Sequence, residues 1–270
     1  MPELPEVETT RRGIEPHILG KTVSQVCIRH PRLRWPIPEH LPASLPGQRL
    51  RSLHRRGKYL LLEFATGHLL LHLGMSGNLR ILKPGAAAQK HDHFDVVFSD
   101  CLLRLNDPRR FGAVLWTTDN PGQHPLLRHL GPEPLSDAFH AAYLKQRARQ
   151  RHTAIKNFIM DSTVVVGVGN IYANEALFLA GIAPGRSCRR ISLQRYARLT
   201  DSIKSVLAQA IQQGGTTLND FLQADGQPGY FAQQLQVYGR AGQPCLTCGA
   251  TLKQRVIGQR SSFYCSRCQR

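Results

Sequence analysis

Two Cys-x2-Cys pairs near the C-terminus constrain the fold more than any other feature of the chain. Cys245 and Cys248 are followed, after 16 intervening residues, by Cys265 and Cys268. Each pair places two thiolates on one tight turn, and two such turns on a hairpin complete the tetrahedral ligand set that zinc prefers. A segment of about 30 residues is too small to bury a core, so the metal would supply its folding free energy. The sequence therefore predicts one structural zinc ion in a C-terminal ribbon.

The alternative interpretation of the cysteine pairs is a redox dithiol. That chemistry is typical of a thioredoxin-like βαβ context, which the surrounding sequence lacks. The remaining cysteines, Cys27, Cys101 and Cys188, are scattered along the chain, and we expect ordinary thiols there.

The predicted ribbon is basic and carries aromatic side chains. Its cations and rings are Arg240, Lys253, Arg255, Arg260, Arg267, Phe263 and Tyr264. Such a surface suits a nucleic-acid groove. A zinc ribbon alone does not separate an enzyme from a transcription factor.

The whole chain is basic, like the predicted ribbon. Lys and Arg total 35 against 18 acidic residues, a formal net charge of +17 in 270 residues. Charge spread this evenly favours a polyanionic partner over a solvated basic surface or a membrane-surface protein, because no basic amphipathic anchor accompanies it. The longest apolar stretch, residues 164–183, is interrupted by polar residues and glycines, and the acidic N-terminus is unlike a signal peptide. We expect an intracellular protein that acts on nucleic acid.

Hydrophobic periodicity divides the chain. Helical spacing over residues 3–19 is followed by strand patterns over 58–64 and 68–73, joined by a turn at Thr66-Gly67, and β pattern continues over 94–105 and 112–117. A Pro/Gly-rich boundary follows residue 130. The predicted domains are a β-rich domain at 1–130, a helical domain at 131–235 and the zinc ribbon at 236–270.

The helical domain carries start and stop signals. Helices are predicted over 136–150, 153–161, 170–180 and 192–213, with Ser136 and Ser192 as N-caps and Gly181 and Gly214 as left-handed ends. Residues 214–230 are predicted to form a long loop, and long loops in compact domains are more often functional than idle.

The N-terminus offers an unusual nucleophile. Removal of the initiator methionine would leave Pro2 as a free secondary amine, which condenses with an aldehyde-level carbon to give a cationic iminium. Glu3 can transfer protons beside it, and Glu6 lies three residues on along the same helical face. Taken alone, a proline and a glutamate at a helix start are a weak signal and favour a purely structural role.

The chain resembles the bacterial formamidopyrimidine-DNA glycosylases, also called 8-oxoguanine DNA glycosylases, from end to end. The segments that carry the resemblance are PELPEVETTRRGIEP, RRGKYLLLE, LHLGMSG, KHDHFD, NDPRRFG, HLGPEPL, VVGVGNIYANEALF, GGTTL, DGQPGYF and QRSSFYCSRCQ. The resemblance implies an α+β multidomain fold: an N-terminal β-sandwich fronted by a helix, a helical helix–two-turns–helix domain and a four-cysteine zinc ribbon.

The resemblance also implies an activity. Pro2 matches the residue that attacks C1′ of the damaged nucleotide, and Glu3 matches the acid that assists ring opening. Lys58 matches a lysine assigned to proton donation during elimination, although phosphate binding is a compatible role. Arg260 matches an arginine that contacts phosphate and is assigned to the second elimination.

DNA-contacting positions follow from the same resemblance. Met75, Arg109 and Phe111 match side chains that fill the gap left by an everted nucleotide, although methionine and phenylalanine are more often core residues. Positions that hold the DNA backbone are matched by His91, Arg109, Arg151, Lys156 and Asn170, and the 214–230 loop matches the segment that closes over the flipped base.

Two rival functions remain open at this point. Endonuclease VIII-like glycosylases share the fold but prefer oxidised pyrimidines, and a zinc-ribbon DNA-binding protein would have no activity. The formamidopyrimidine-DNA glycosylase interpretation implies that the partner is double-stranded DNA with oxidised purines. It also implies a monomer, no small-molecule cofactor, no membrane, and a cytoplasmic location at the bacterial nucleoid.

Overall fold

The computed structural model describes residues 2–214 and 235–270. Residues 2–128 form one compact unit, and residues 129–212 with 235–270 form a second. Apart from Gly214, the predicted 214–230 loop lies outside the described residues. Within the described part of the chain, no helix is long and apolar enough to cross a membrane.

The first unit is mainly β. Its helices are α1 (Leu4–Ile18) and α2 (Leu41–Ser44). Its strands are β1 (Val23–Ile28), β2 (Ser52–Arg56), β3 (Tyr59–Phe64), β4 (Gly67–His72), β5 (Asn78–Leu82), β6 (Asp92–Phe98), β7 (Leu102–Asn106) and β8 (Ala113–Thr117).

The strands form two antiparallel four-stranded sheets, ordered β1-β6-β7-β5 and β2-β3-β4-β8. One apolar core contains side chains from both sheets, so the sheets form a sandwich. Helix α1 contacts β2 and β3 of one sheet and β5 of the other, and it buries Val7, Ile14 and Ile18 in this core. The predicted β-sandwich fronted by a helix is confirmed.

The β3–β4 hairpin shows how the sequence specifies the sandwich. Buried and half-buried residues alternate along β3, which turns Leu60, Leu62 and Phe64 inward. The register pairs Phe64 with Gly67 across the predicted turn. The continuous β pattern over 94–105 is divided between β6 and β7, which pair as a second hairpin.

The second unit is helical and ends in a hairpin. Its helices are α3 (Ala141–Ala148), α4 (Ile155–Met160), α5 (Asn170–Leu179) and α6 (Leu193–Gln212). The predicted cap of α6 is confirmed, because the Arg195 N–H donates to the Ser192 hydroxyl at 3.3 Å. Gly181 and Gly214 both have positive φ, as predicted for helix ends.

The predicted cap of α3 is wrong. The Ser136 hydroxyl donates to the carbonyl of Glu133 in a local turn, and the helix begins five residues later. His140 caps it, with Nδ1 accepting the Tyr143 N–H at 3.3 Å. A serine can satisfy its hydrogen bonds in a turn as readily as at a helix start, which is why the prediction failed.

The ribbon consists of β9 (Lys253–Ile257) and β10 (Arg260–Tyr264), paired antiparallel. Gly258 and Gln259 join the strands, and both have positive φ, as a tight two-residue hairpin turn of the type that matches strand twist requires. This turn places Arg260 at the start of β10, directly beside the hairpin tip.

Candidate active site and metal centre

Glu3 and Glu6 form reciprocal hydrogen bonds at the start of α1. The Glu3 side chain accepts the backbone N–H of Glu6, and the Glu6 carboxylate accepts the backbone N–H of Glu3 at 2.8 Å. Glu3 is only 2% exposed, and Pro2 beside it is buried. The two acids therefore lie together at the helix start, although Glu3 is the extended N-cap residue and not part of a helical face. A capping box fixes the backbone next to Pro2 and holds a carboxylate at the positive end of the helix.

Lys58 lies in the turn between β2 and β3 and is half-buried. The positive charge of Lys58 acts on the imidazole of His72, at the end of β4, and disfavours its protonation. Burial of the ring, together with the charges of Lys58 and Arg34, lowers the pKa of His72 to about 4. His72 is therefore neutral at pH 7, and its Nδ1 accepts the Gly74 N–H at 3.0 Å.

Met75 and Phe111 lie on adjacent loops, 73–77 and 107–112, at one edge of the sandwich. They line an open cavity of about 400 Å³ with Arg34, His72 and Gly74. Phe111 is 43% exposed, and neither side chain belongs to the core of the sandwich. The alternative interpretation, that Met75 and Phe111 are ordinary core residues, does not fit this placement.

Arg109 shares the second loop with Phe111. Its guanidinium carbon lies 4.9 Å from the centroid of the Phe111 ring, within cation–π range. The side chain is otherwise exposed. The loop therefore presents an apolar ring and a cation side by side.

His91 lies just before β6 and adopts a left-handed backbone with φ of 74°. Its carbonyl accepts the N–H of Asp107 at 3.0 Å, which connects it to the loop of Arg109. Its ring is half-buried and meets the edge of His93.

Arg151, Asn170 and Arg260 lie in the second unit. Arg151 pairs with Asp161 at 2.8 Å, with both side chains partly exposed. Asn170 is the first residue of α5, after the extended Gly169, and its side-chain amide donates to the Ser261 carbonyl at 3.2 Å. Arg260 is exposed. The helix start and the ribbon strand are thus directly joined.

Lys156 on α4 is fully buried, at 0% exposure. Its ammonium donates to the Ser261 carbonyl at 2.8 Å and to the Ser262 hydroxyl at 2.7 Å. The geometry favours a lysine that holds β10 in place beside Arg260. Its assignment as a contact to the DNA backbone stays a prediction.

The four paired cysteines converge as the spacing predicts. Their Sγ atoms all lie within 4.8 Å of one another, with Cys245 and Cys268 at 3.9 Å and Cys248 and Cys265 at 3.5 Å. A tetrahedral zinc with Zn–S bonds of about 2.3 Å needs sulfurs about 3.8 Å apart. The cluster therefore fits one structural zinc ion, which leaves no open coordination position for substrate.

Family models match most of the chain. "Formamidopyrimidine-DNA glycosylase N-terminal domain" matches residues 1–114, "Formamidopyrimidine-DNA glycosylase H2TH domain" matches 130–221, and "Zinc finger found in FPG and IleRS" matches 242–270. The chain belongs to the formamidopyrimidine-DNA glycosylase family. The resemblance carried by the sequence segments is confirmed, including the zinc-finger module.

Members of the formamidopyrimidine-DNA glycosylase family align over the full length. The chain is 60% identical to the enzyme of that name from Methylococcus capsulatus, with all of both chains covered. It matches the crystal structure of MutM (Fpg) from Thermus thermophilus at 39% identity and a TM-score of 0.89, covering 99% and 98% of the two chains. It matches a Lactococcus lactis Fpg mutant in complex with Fapy-dG-containing DNA at 34% identity and a TM-score of 0.91, with both chains fully covered.

Three residues around the loops of Met75 and Phe111 were not singled out from the sequence. Arg34 and His72 line the cavity with Met75 and Phe111, and Asp107 is the first residue of the loop that carries Arg109 and accepts the Gly112 N–H through its carboxylate. His72 had a local signal, because it is a polar residue that ends an apolar strand. Asp107 had only the Asp-Pro pair, which indicates a loop and says nothing of its partners.

Proposed function

We propose that this chain is a bifunctional DNA glycosylase and AP lyase of base excision repair, acting on oxidised purines in duplex DNA. The observation that carries the proposal is the start of α1, where Glu3 and Glu6 lock the backbone beside Pro2. The same capping box holds a carboxylate next to a potential amine, where it can transfer protons.

The residues of the first unit account for base release. The Pro2 nitrogen forms a bond to C1′ while the glycosidic bond breaks and the base leaves with the electron pair. Glu3 serves the proton transfers of base departure and of ring opening, in which the C1′–O4′ bond breaks and O4′ takes up a proton, and the product is an iminium at C1′. Lys58, in its half-buried turn, would serve the proton transfers that follow or bind the adjacent phosphate.

Elimination completes the reaction. The iminium acidifies the C2′ proton, and its loss breaks the C3′–O bond and expels the 3′ phosphate. A second elimination expels the 5′ phosphate, for which Arg260 at the hairpin tip would provide charge. The product is a one-nucleotide gap with phosphate at both ends. Zinc supplies only the folding of the ribbon.

Reaching C1′ requires eversion of the nucleotide, which costs a few kcal/mol of stacking. Met75 and Phe111 would fill the gap, and Arg109 would pair with the orphaned base. His91, Arg151 and Asn170 would bind backbone phosphates, with amides at the start of α5 as further donors. In this proposal the domain at 1–130 carries out the chemistry, the domain at 131–235 binds the DNA backbone, and the domain at 236–270 is the zinc ribbon. Because each chain carries one active site, a monomer is sufficient for activity. The protein would act at the nucleoid.

Borohydride trapping tests the proposal. Protein mixed with a duplex containing 8-oxoguanine opposite cytosine should yield a covalent adduct, and peptide mapping should place the sugar on Pro2. Pro2→Gly, or an N-terminal tag that survives processing, should abolish trapping. A thymine glycol duplex tests the pyrimidine-specific alternative. Absence of any adduct would favour the non-enzymatic alternative, and full activity with Met1 retained would rule out this mechanism.

A further inference from the structure

Asp107 links the two loops that carry Met75, Arg109 and Phe111. Its carboxylate is completely buried, at 0% exposure. One oxygen, Oδ1, accepts the Ser76 hydroxyl at 2.9 Å, and the other, Oδ2, accepts the Gly112 N–H at 2.7 Å. The Ser76 hydroxyl oxygen in turn accepts the Arg109 N–H at 3.2 Å. One carboxylate therefore ties together the residue after Met75, the residue after Phe111 and the backbone of Arg109.

The backbone of Asp107 is anchored as firmly as its side chain. Its N–H donates to the carbonyl of His91 at 3.0 Å, and its own carbonyl lies 3.0 Å from Nε2 of His93. His91 is the residue before β6, and His93 is the second residue of β6. The sandwich framework therefore fixes Asp107, and Asp107 fixes the loops.

The two loops touch with no space between their backbones. A side chain on Gly74, where φ is +64°, would overlap the backbone of Phe111 and Gly112. A Cβ on Gly112 would come within 2.7 Å of the His72 carbonyl and 2.9 Å of the Asp107 carboxylate. Movement of either loop would therefore displace the other.

We propose that Asp107 is a positioning residue that holds Met75, Arg109 and Phe111 in the arrangement needed to replace an everted nucleotide. This inference rests on the proposed function. Exposed loop side chains would otherwise lose conformational freedom when DNA binds, and a framework that orders them beforehand removes that cost. The buried carboxylate keeps both donors because an unpaired charge in this position would be strongly unfavourable.

Asp107→Asn tests this role, because the amide keeps the shape but cannot accept from both Ser76 and Gly112. Eversion is followed by the fluorescence of 2-aminopurine next to 8-oxoguanine, together with kcat and KM opposite cytosine and opposite adenine. We expect eversion to slow by on the order of tenfold to a hundredfold. Preference for cytosine opposite the lesion should fall, while cleavage of a preformed abasic site should change much less.

Two further variants make the experiment decisive. Ser76→Ala removes one link and should change the same measurements in the same direction by less, which tests the inference even if Asp107→Asn folds poorly. Asp100→Asn alters an exposed carboxylate that pairs with Lys21 and should change nothing. Unchanged eversion and base preference in folded variants would overturn the role of Asp107. Failure of the unmodified protein to release 8-oxoguanine would instead overturn the proposed function.

Discussion

The guanidinium carbon of Arg109 lies 4.9 Å from the centroid of the Phe111 ring, on a loop at the edge of the first unit. The loop therefore holds an apolar ring and a cation side by side, and the ring borders the cavity that Met75 and His72 also line.

Phe111→Ala should weaken binding to a lesion-containing duplex by about 1–3 kcal/mol, the usual contribution of an aromatic ring stacked on a base. Since Phe111 is 43% exposed, its truncation should change folding stability by less than about 0.5 kcal/mol. Fluorescence anisotropy and thermal unfolding measure the two quantities. Phe111→Leu, which keeps an apolar wedge, is the matched control and should lose less affinity. A large drop in stability would show that Phe111 is a core residue.

Glu3→Gln should abolish base release while leaving the fold and damage-specific binding intact. The side-chain carbonyl of glutamine can still accept the Glu6 N–H, so the helix cap survives. Only the transferable proton is lost, and general acid catalysis typically contributes about 10²–10⁴-fold. Single-turnover release of 8-oxoguanine measures the effect, and circular dichroism checks the helix. Base release at the unmodified rate would exclude Glu3 as the catalytic acid.

Several features could be predicted from the sequence because they depend on residues close together in the chain. The cysteine spacing predicts the cluster, since each pair is one turn. The β3–β4 hairpin and the ends of α5 and α6 follow from alternation, helical period and glycine. These signals are local, and the structure confirms them.

The sandwich strands that the sequence did not predict were missed for one physical reason. The strands β1, β2 and β5 received no prediction, and each lies at the edge of its sheet. Edge strands face solvent and carry charged or polar residues, as SLHRR of β2 does. A sequence pattern that depends on burial is therefore weaker at such strands, whereas the more apolar edge strand β8 was predicted. The burial of Lys156 and the bonds of Asp107 depend on partners distant in the chain, which no local pattern reveals.

The low pKa of His72 predicts a pH dependence of stability. The unfolded imidazole takes up a proton near pH 6.5, whereas the folded one does so only near pH 4. The contribution of His72 to stability is therefore complete above pH 6.5 and is lost as the pH falls from 6.5 toward 4. Denaturant unfolding of the protein and of His72→Gln across this range isolates the effect by subtraction. An imidazole NMR signal that titrates near the ordinary histidine pKa would contradict the prediction.

Removal of zinc should unfold the ribbon and weaken DNA binding. The hairpin's apolar cluster is small, with Val237, Leu252 and Phe178 beside the cysteines, so metal ligation provides most of its stability. Chelation should raise amide hydrogen exchange over residues 245–268 and leave the sandwich protected. Readdition of zinc should restore both exchange protection and affinity. Unchanged DNA affinity in the zinc-free protein would exclude a role for the ribbon in binding.

Lys156→Met separates a lysine that holds the ribbon from one that binds phosphate. Methionine keeps most of the length of the stem but leaves the Ser261 carbonyl and Ser262 hydroxyl without the buried ammonium. Loss of a donor to buried acceptors costs about 1–3 kcal/mol, so the unfolding temperature should fall and exchange over residues 260–264 should rise. Arg189→Met, which removes an exposed cation from the same unit, is the control and should leave that exchange unchanged. If Lys156→Met instead keeps full protection in β10 and only weakens DNA binding, with a smaller salt dependence, then Lys156 contacts phosphate directly.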